Sequence, residues 1–293
     1  MSFVIAALVR STPLMITGLA VALAFRAGVW NIGAEGQFYA GAIAATWIGT
    51  RLDLQSSFAA MLLVPLAAAL AGAAWVSVPA WLRARFGVLE VITTIMLSFI
   101  AELLVSYLVH GPLQEAGRTY PQSDPLAEAA RLAPLAEGSR LTWAFPLAIL
   151  FAVITWVVID RTRPGFALRA TGANPLAARV AGRIPVTRVM TVAFIASGAI
   201  AALAGAAEVS GVTFALYERL SPGYGYTAIA VALLARLHPL AVIPSALFFG
   251  SLEALAAVVQ RSYGVPSVTV YAVEGLVILL MVALDQRARR QSA

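Results

Sequence analysis

Apolar runs of helix length recur from one end of this chain to the other, and they leave it few folds. The runs fall near residues 12–27, 36–49, 57–79, 88–110, 142–159, 189–209, 224–237, 240–259 and 266–284. In hydrocarbon every backbone N–H and C=O needs a partner within the protein, which restricts spanning structures to helices and closed barrels. A barrel strand would show about ten residues of alternating polarity. Most of these runs are instead continuous and close to the roughly 20 residues of a spanning helix. Only 12% of the residues are charged, about half the share usual in a soluble domain. The expected fold is all-α, a polytopic transmembrane helical bundle of about nine spans, with 1–293 as a single membrane domain. The second and seventh runs are short, as half-helices or as spans extending into polar flanks.

Charge sets the orientation. All 20 basic residues are arginine. A Walker-type phosphate loop ends in Gly-Lys-Ser/Thr, so this chain has none, and any ATP-driven work needs another subunit. The net charge of +6 reads as the positive-inside bias of a membrane protein rather than as a nucleic-acid surface. The absence of cysteine excludes disulfides and thiol chemistry. Met1–Leu8 lacks the basic start of an ordinary cleavable signal. The segment 160–188 carries Arg161, Arg163, Arg169, Arg179, Arg183 and Arg188, the tail Arg287, Arg289 and Arg290, and the connection near 80–87 Arg83 and Arg85. These three regions are expected to be cytoplasmic, and 111–141 is expected to form a partly structured cap outside. Parity then leaves the N-terminus outside, which points to a missing upstream span or a gene start called late.

Between two uncharged runs, Thr12–Phe25 and Phe38–Gly49, lies Asn31–Gln37, reading Asn-Ile-Gly-Ala-Glu-Gly-Gln. Polar side chains at membrane depth are costly unless paired or wet, so this cluster is a tight connection, a cavity-lining break, or both. Parity places it at the cytoplasmic end of two central spans. It then reads as a turn and inner-gate element, with Glu35 and Asn31 bonding neighbouring helices and direct solute contact the weaker claim. Other polar groups near spans are Glu90 and Glu208, close to span ends, Glu102 and Glu253, which lie deeper, and Glu274.

The arginine-rich loop carries its own punctuation. Asn174 suits an N-cap and Pro175 the first helical position. Gly182 ends the helix and Pro185 stops continuation, giving a short helix over about 175–181. Leu176 and Val180 share one face, and Arg179 complements the C-terminal dipole. A lipid-surface helix is the alternative, but so small an apolar face suits a protein groove better. Farther on, Ser197, Ala201 and Gly205 form a small-residue face for close helix packing. An intramembrane enzyme finds little support. There is no His-Glu-x-x-His, Gly-x-Ser-x-Gly or cysteine, and His110 and His238 lie at span ends.

Asn31–Gln37 followed by Phe-Tyr-Ala-Gly-Ala resembles the permease subunits of bacterial ABC importers of the branched-chain amino acid and ribose superfamily, closest to the nucleoside and simple-sugar branch. The loop 169–185, Ala193–Ala206 and Tyr224–Leu240 fit the same family. The resemblance implies a type II importer fold of about ten spans, one more than counted here at the N-terminus. It implies a pore made by two permeases, as a homodimer or heterodimer, in the bacterial cytoplasmic membrane. Two cytoplasmic ATPase subunits would drive it, and an extracytoplasmic binding protein or lipoprotein would deliver the solute. The chain itself would be no enzyme and would hold no cofactor or metal. Gate and path candidates are Asn31, Gly33, Glu35, Gly36, Gln37, Glu102 and Glu253. ATPase-coupling candidates are Asn174, Pro175, Leu176, Arg179, Val180 and Gly182. The expected function is ATP-driven import of a nucleoside or simple sugar by alternating access. An ion-coupled secondary transporter is the alternative, although no inverted repeat is evident.

Overall fold

A computed structural model of the chain describes residues 2–51, 57–182, 184–263 and 275–276. The last predicted span, 266–284, lies outside the described residues except for 275–276, as do Arg183, Glu274 and the tail arginines. Among the described residues the regular structure is helical, apart from two isolated β-bridges. The helices are α1 (Phe3–Arg26), α2 (Ala34–Arg51), α3 (Ser57–Phe86), α4 (Glu90–Val109), α5 (Ala144–Arg161), α6 (Arg163–Ala173), α7 (Pro175–Gly182), α8 (Val186–Glu208), α9 (Tyr224–Leu234) and α10 (Pro239–Tyr263). Six of them, α1, α3, α4, α5, α8 with its continuation to Thr213, and α10, are long and apolar enough to cross a membrane.

Three helices, α1, α2 and α8, form the centre. The apolar window of α1 is 67% buried and that of α8 50%, against 22% for α4, which sits at the rim. Small residues make this possible. A Cβ at Gly205 would collide with the Phe38 carbonyl, one at Gly41 with Ala202, and one at Gly72 with Gly198, so α2 and α3 lie backbone to backbone on α8. Ser197, Ala201 and Gly205 are all buried.

α1 begins at Phe3, well before its predicted start near residue 12. Arg10 interrupts the apolar run, but it pairs with Glu253 on α10 at 3.6 Å, and the helix continues through it. It ends on a Schellman turn. Gly28 (φ +77°) donates to Phe25 O, and Val29 N–H reaches Ala24 O, both at 3.0 Å.

The segment 111–141 is a strap of turns with one short 3₁₀ turn at Glu128–Ala130. Ser123 N–H donates to Leu216 O, Leu126 to Phe214 O and Leu132 to Ser210 O, each at 2.8 Å, so the strap lies along the 210–217 stretch. On it, the exposed Glu115 carboxylate accepts from Gln122 and from the Tyr120 and Thr119 amides, which holds it below the usual carboxylate range. α8 runs into a π-helical turn, Val209–Thr213, which closes at Phe214 with φ +58°.

Candidate functional site

Asn31 is fully buried, and its carboxamide is used on every side. Nδ2 donates to Gln37 Oε1 and to Ser197 Oγ, both at 2.9 Å. Oδ1 accepts from Gln37 Nε2 at 2.9 Å and from Gly33 N–H at 3.1 Å. The Ser197 hydroxyl in turn donates to Ala20 O at 2.7 Å. One side chain thus ties the connection before α2 to α1, α2 and α8. Gly33 and Gly36 let that connection press on α4. A Cβ at either would come within 2.8 Å of Thr94 or Ser98, and Gly36 N–H donates to Ser98 Oγ at 3.2 Å.

Glu35, also buried, does a different job. Its Oε2 accepts from Gly225 N–H at 2.6 Å, and the Ser221 hydroxyl bonds the same carboxylate. Ser221 Oγ in turn caps α9, accepting from Gly223 N–H at 3.0 Å and Tyr224 N–H at 2.9 Å. Glu35 stands in the first turn of α2 and receives the first turn of α9. Two helix N-termini, each with partial positive charge, converge on one carboxylate. Gly225 is what lets them touch, because a Cβ there would strike the Glu35 backbone.

This junction lies deeper than arginine parity predicts. The arginine-rich end is marked by Asp160, in the last turn of α5, which pairs with Arg169 at 3.1 Å, Arg26 at 3.5 Å and His238 at 3.8 Å. Gly18, where α1 meets Val231 of α9, is eight residues from Arg26, about 12 Å along the helix. Gly225 is six residues farther along α9, about 9 Å more. The junction therefore sits near the middle of the bundle. At 11 residues α9 is about 16 Å long, roughly half a span, and the 214–223 stretch folds inward from the cap end to reach it. The expected turn at the edge is replaced by a meeting of helix ends in the interior, where such breaks persist only if protein or water satisfies their backbone.

α4 adds a feature that sequence reading missed. Glu90, Thr94, Ser98, Glu102, Ser106 and His110 follow one another at every fourth position. At 3.6 residues per turn such a ribbon drifts by about 40° per step. Its first three members are buried. Glu90 pairs with Arg83 at 3.1 Å and accepts Trp30 N–H at 3.1 Å, while Thr94 and Ser98 face the α2 connection. Beyond Ser98 the ribbon emerges. Glu102 and His110 are exposed, and Ser106 donates to Glu218, which also lies 3.6 Å from His110. Tyr226 of α9 bonds Ser98 through its hydroxyl and is 37% exposed. Arg219 and Tyr226 lie in electrostatic range of Glu102.

The structure thus brings Asn31, Gly33, Glu35, Gly36 and Gln37 together and sets Glu102 close by, on the surface. It does not bring Glu253 to them. That carboxylate is buried between α10 and α1, against Arg10. Glu208 is buried at the end of α8, beside a cavity of about 10 Å³ lined by Arg140, Thr142 and Thr12. Among the described residues no group of three metal-ligating side chains occurs.

At the arginine-rich end the predicted short helix is present. Asn174 Oδ1 accepts from Leu176 N–H and Ala177 N–H, both at 3.0 Å, and Pro175 opens α7. Leu176 and Val180 are 71% and 77% exposed, and Arg179 and Gly182 are exposed too, while Ala178 turns inward. α6 was not anticipated, though its signals were there: Thr162 caps it through Gly165 N–H at 3.2 Å, with a proline at the first turn.

A polytopic bundle with a half-helix ending at mid-depth, a polar ribbon along a rim helix and an exposed apolar pair on a capped helix outside the spans has the build of a transport permease. The profile of the family described as "Branched-chain amino acid transport system / permease component" matches residues 3–282, and the chain belongs to that family. It is 41% identical over 288 residues to the glucose ABC transporter permease protein TsgB13 of Haloferax volcanii, covering 95% of this chain and 75% of that one. It is 37% identical over 275 residues to the guanosine ABC transporter permease protein NupP of Bacillus subtilis, covering 92% and 78%. To the nucleoside ABC transporter permease protein NupB of Lactococcus lactis it is 30% identical over 281 residues, covering 92% and 76%. The chain is a multi-pass membrane protein and an ABC importer permease.

Proposed function

We propose that this chain is one half of the pore of an importer that carries a nucleoside or simple sugar across the cytoplasmic membrane, working as a single transmembrane domain of about nine spans. A second permease, identical or related, completes the pore. A cytoplasmic ATPase pair supplies the energy, and an extracytoplasmic binding protein or lipoprotein presents the solute. The arginine-rich end faces the cytoplasm and the 111–141 strap faces out. The relatives named for glucose, guanosine and nucleosides support this solute range.

The observation that carries the reading is α7. Leu176 and Val180, four residues apart on a capped helix among arginines, present an apolar pair to solvent. Such a pair fits a protein groove, and the ATPase is the partner required on that side. Movement of α7 passes through α6 to the end of α1, where a Cβ at Gly172 would strike the Arg26 carbonyl, and so toward the Asn31 network. Asn31, Gly33, Glu35, Gly36 and Gln37 act as a gate whose helices move as units, and Glu102 faces the path. Leu176→Asp with Val180→Asp is expected to abolish co-purification of the ATPase while the permease still inserts. Undiminished co-purification refutes the docking role.

A further inference from the structure

We infer that the emergent half of the α4 ribbon, with Arg219 and the α9 residue Tyr226 beside it, is a contact site for the vicinal diol of a neutral solute, Glu102 being its principal acceptor. The inference rests on the permease reading above and names the part of the path that recognises what passes.

Glu102 stands twelve residues into α4, about 18 Å from its start. It is exposed among Phe99, Ile100 and Leu103, all exposed as well. A carboxylate at that depth is costly where it meets lipid. The strip carrying it therefore faces water or protein. The ribbon tells which way that strip continues. Toward the arginine-rich end it is closed, with Thr94 and Ser98 packed on Gly33 and Gly36. Toward the cap end it stays open through Ser106 to His110 and Glu218. On this inference the strip is the wet side of the path, running from the cap end to the Asn31–Gln37 gate, with Glu102 just above it.

The chemistry at that point is specific. The two oxygens of a carboxylate accept two neighbouring hydroxyls at once, the pattern by which an acidic residue holds a ribose diol in dinucleotide sites. Arg219, exposed on the loop at φ +56°, supplies donors beside it. Tyr226 is partly exposed there, its hydroxyl already committed to Ser98. Glu102 and Glu218 stand against Arg219 and the His110 that lies 3.6 Å from Glu218, so the strip carries no positive excess to hold an anion and suits uncharged polyols. Glu35 cannot serve in this way, since Ser221 and Gly225 occupy its carboxylate.

The chain has no cysteine, so single cysteines can be placed in the full-length permease within its assembled transporter. Glu102→Cys, Ser106→Cys and Tyr226→Cys are expected to react with a charged methanethiosulfonate reagent. Leu150→Cys and Ile154→Cys on the apolar face of α5 are not. Reaction at the α4 and α9 sites no faster than at the α5 controls overturns the inference, even where ATP-driven uptake is intact. Loss of the permease reading shows differently, as wild-type uptake that does not need ATP. The diol is tested by competing a ribonucleoside against its 2′-deoxy form and glucose against 2-deoxyglucose. Wild type is expected to prefer one diol by about tenfold, which identifies the source, and Glu102→Gln to cut that preference to within about twofold. Arg219→Gln, on the exposed loop, should lower it in the same direction. An unchanged preference in both variants, or none in wild type, overturns the diol assignment.

Discussion

Glu35 gives the sharpest test of how α2 and α9 are joined. In Glu35→Ala the Gly225 N–H and the Ser221 hydroxyl lose a buried acceptor. Each buried donor left unpaired costs about 1–3 kcal/mol. The ends of α2 and α9 each lose a compensating negative charge, worth about 0.3–1 kcal/mol apiece and more when buried. The sum is about 3–8 kcal/mol, concentrated at one junction. Glu35→Gln retains one acceptor oxygen of nearly the same reach, so it should lose roughly half as much. Thermal unfolding of detergent-purified protein, followed by fluorescence-detected size exclusion, should rank wild type above Gln and Gln above Ala, with Ala several degrees lower. ATP-driven uptake should follow the same order. An alanine variant as stable and active as wild type, or a Gln variant worse than Ala, refutes the junction described here.

Three further outcomes follow from the same geometry. Asn31→Ala and Gln37→Ala each strand the other's amide, so the double variant should lose less stability than the two singles combined, with a coupling of about 1–3 kcal/mol; additive losses would mean that the paired amides are not bonded. Gly225→Ala should destabilise by about 1–3 kcal/mol, since its Cβ meets the Glu35 backbone; unchanged thermal unfolding would show that α9 does not abut α2. Asp160→Asn, beside Arg26, Arg169 and His238, should cost only about 1 kcal/mol because the cluster is partly exposed, and the loss should shrink in 1 M salt as screening grows.

What the sequence made legible was whatever local chemistry decides. Apolar run length gave α1 to α5 and α8 to α10, and Asn174 with Pro175 gave α7, because caps act within one turn; the less apolar α6 went unread. Depth was not legible. Counting arginines orders the crossings, but it says nothing of how far a loop folds inward, so Asn31–Gln37 was set at an edge when it lies inside. The start of α1 was misread for a related reason. Arg10 looks like a boundary until its partner Glu253, distant in sequence, is known. That same pairing sets Glu253 against α1, apart from the Asn31–Gln37 cluster. The α4 ribbon was open to inspection all along as polar residues at every fourth position, yet an overall apolar helix hides it from any measure of average hydropathy.

The central claim is ATP-coupled import through this permease, and energy coupling tests it most directly. In proteoliposomes carrying the assembled transporter, with the binding protein outside and ATP inside, uptake of a labelled nucleoside or sugar should require hydrolysable ATP and survive ionophores that collapse proton and sodium gradients. Uptake that persists without ATP and stops with the ionophores would contradict the account and mark an ion-coupled carrier.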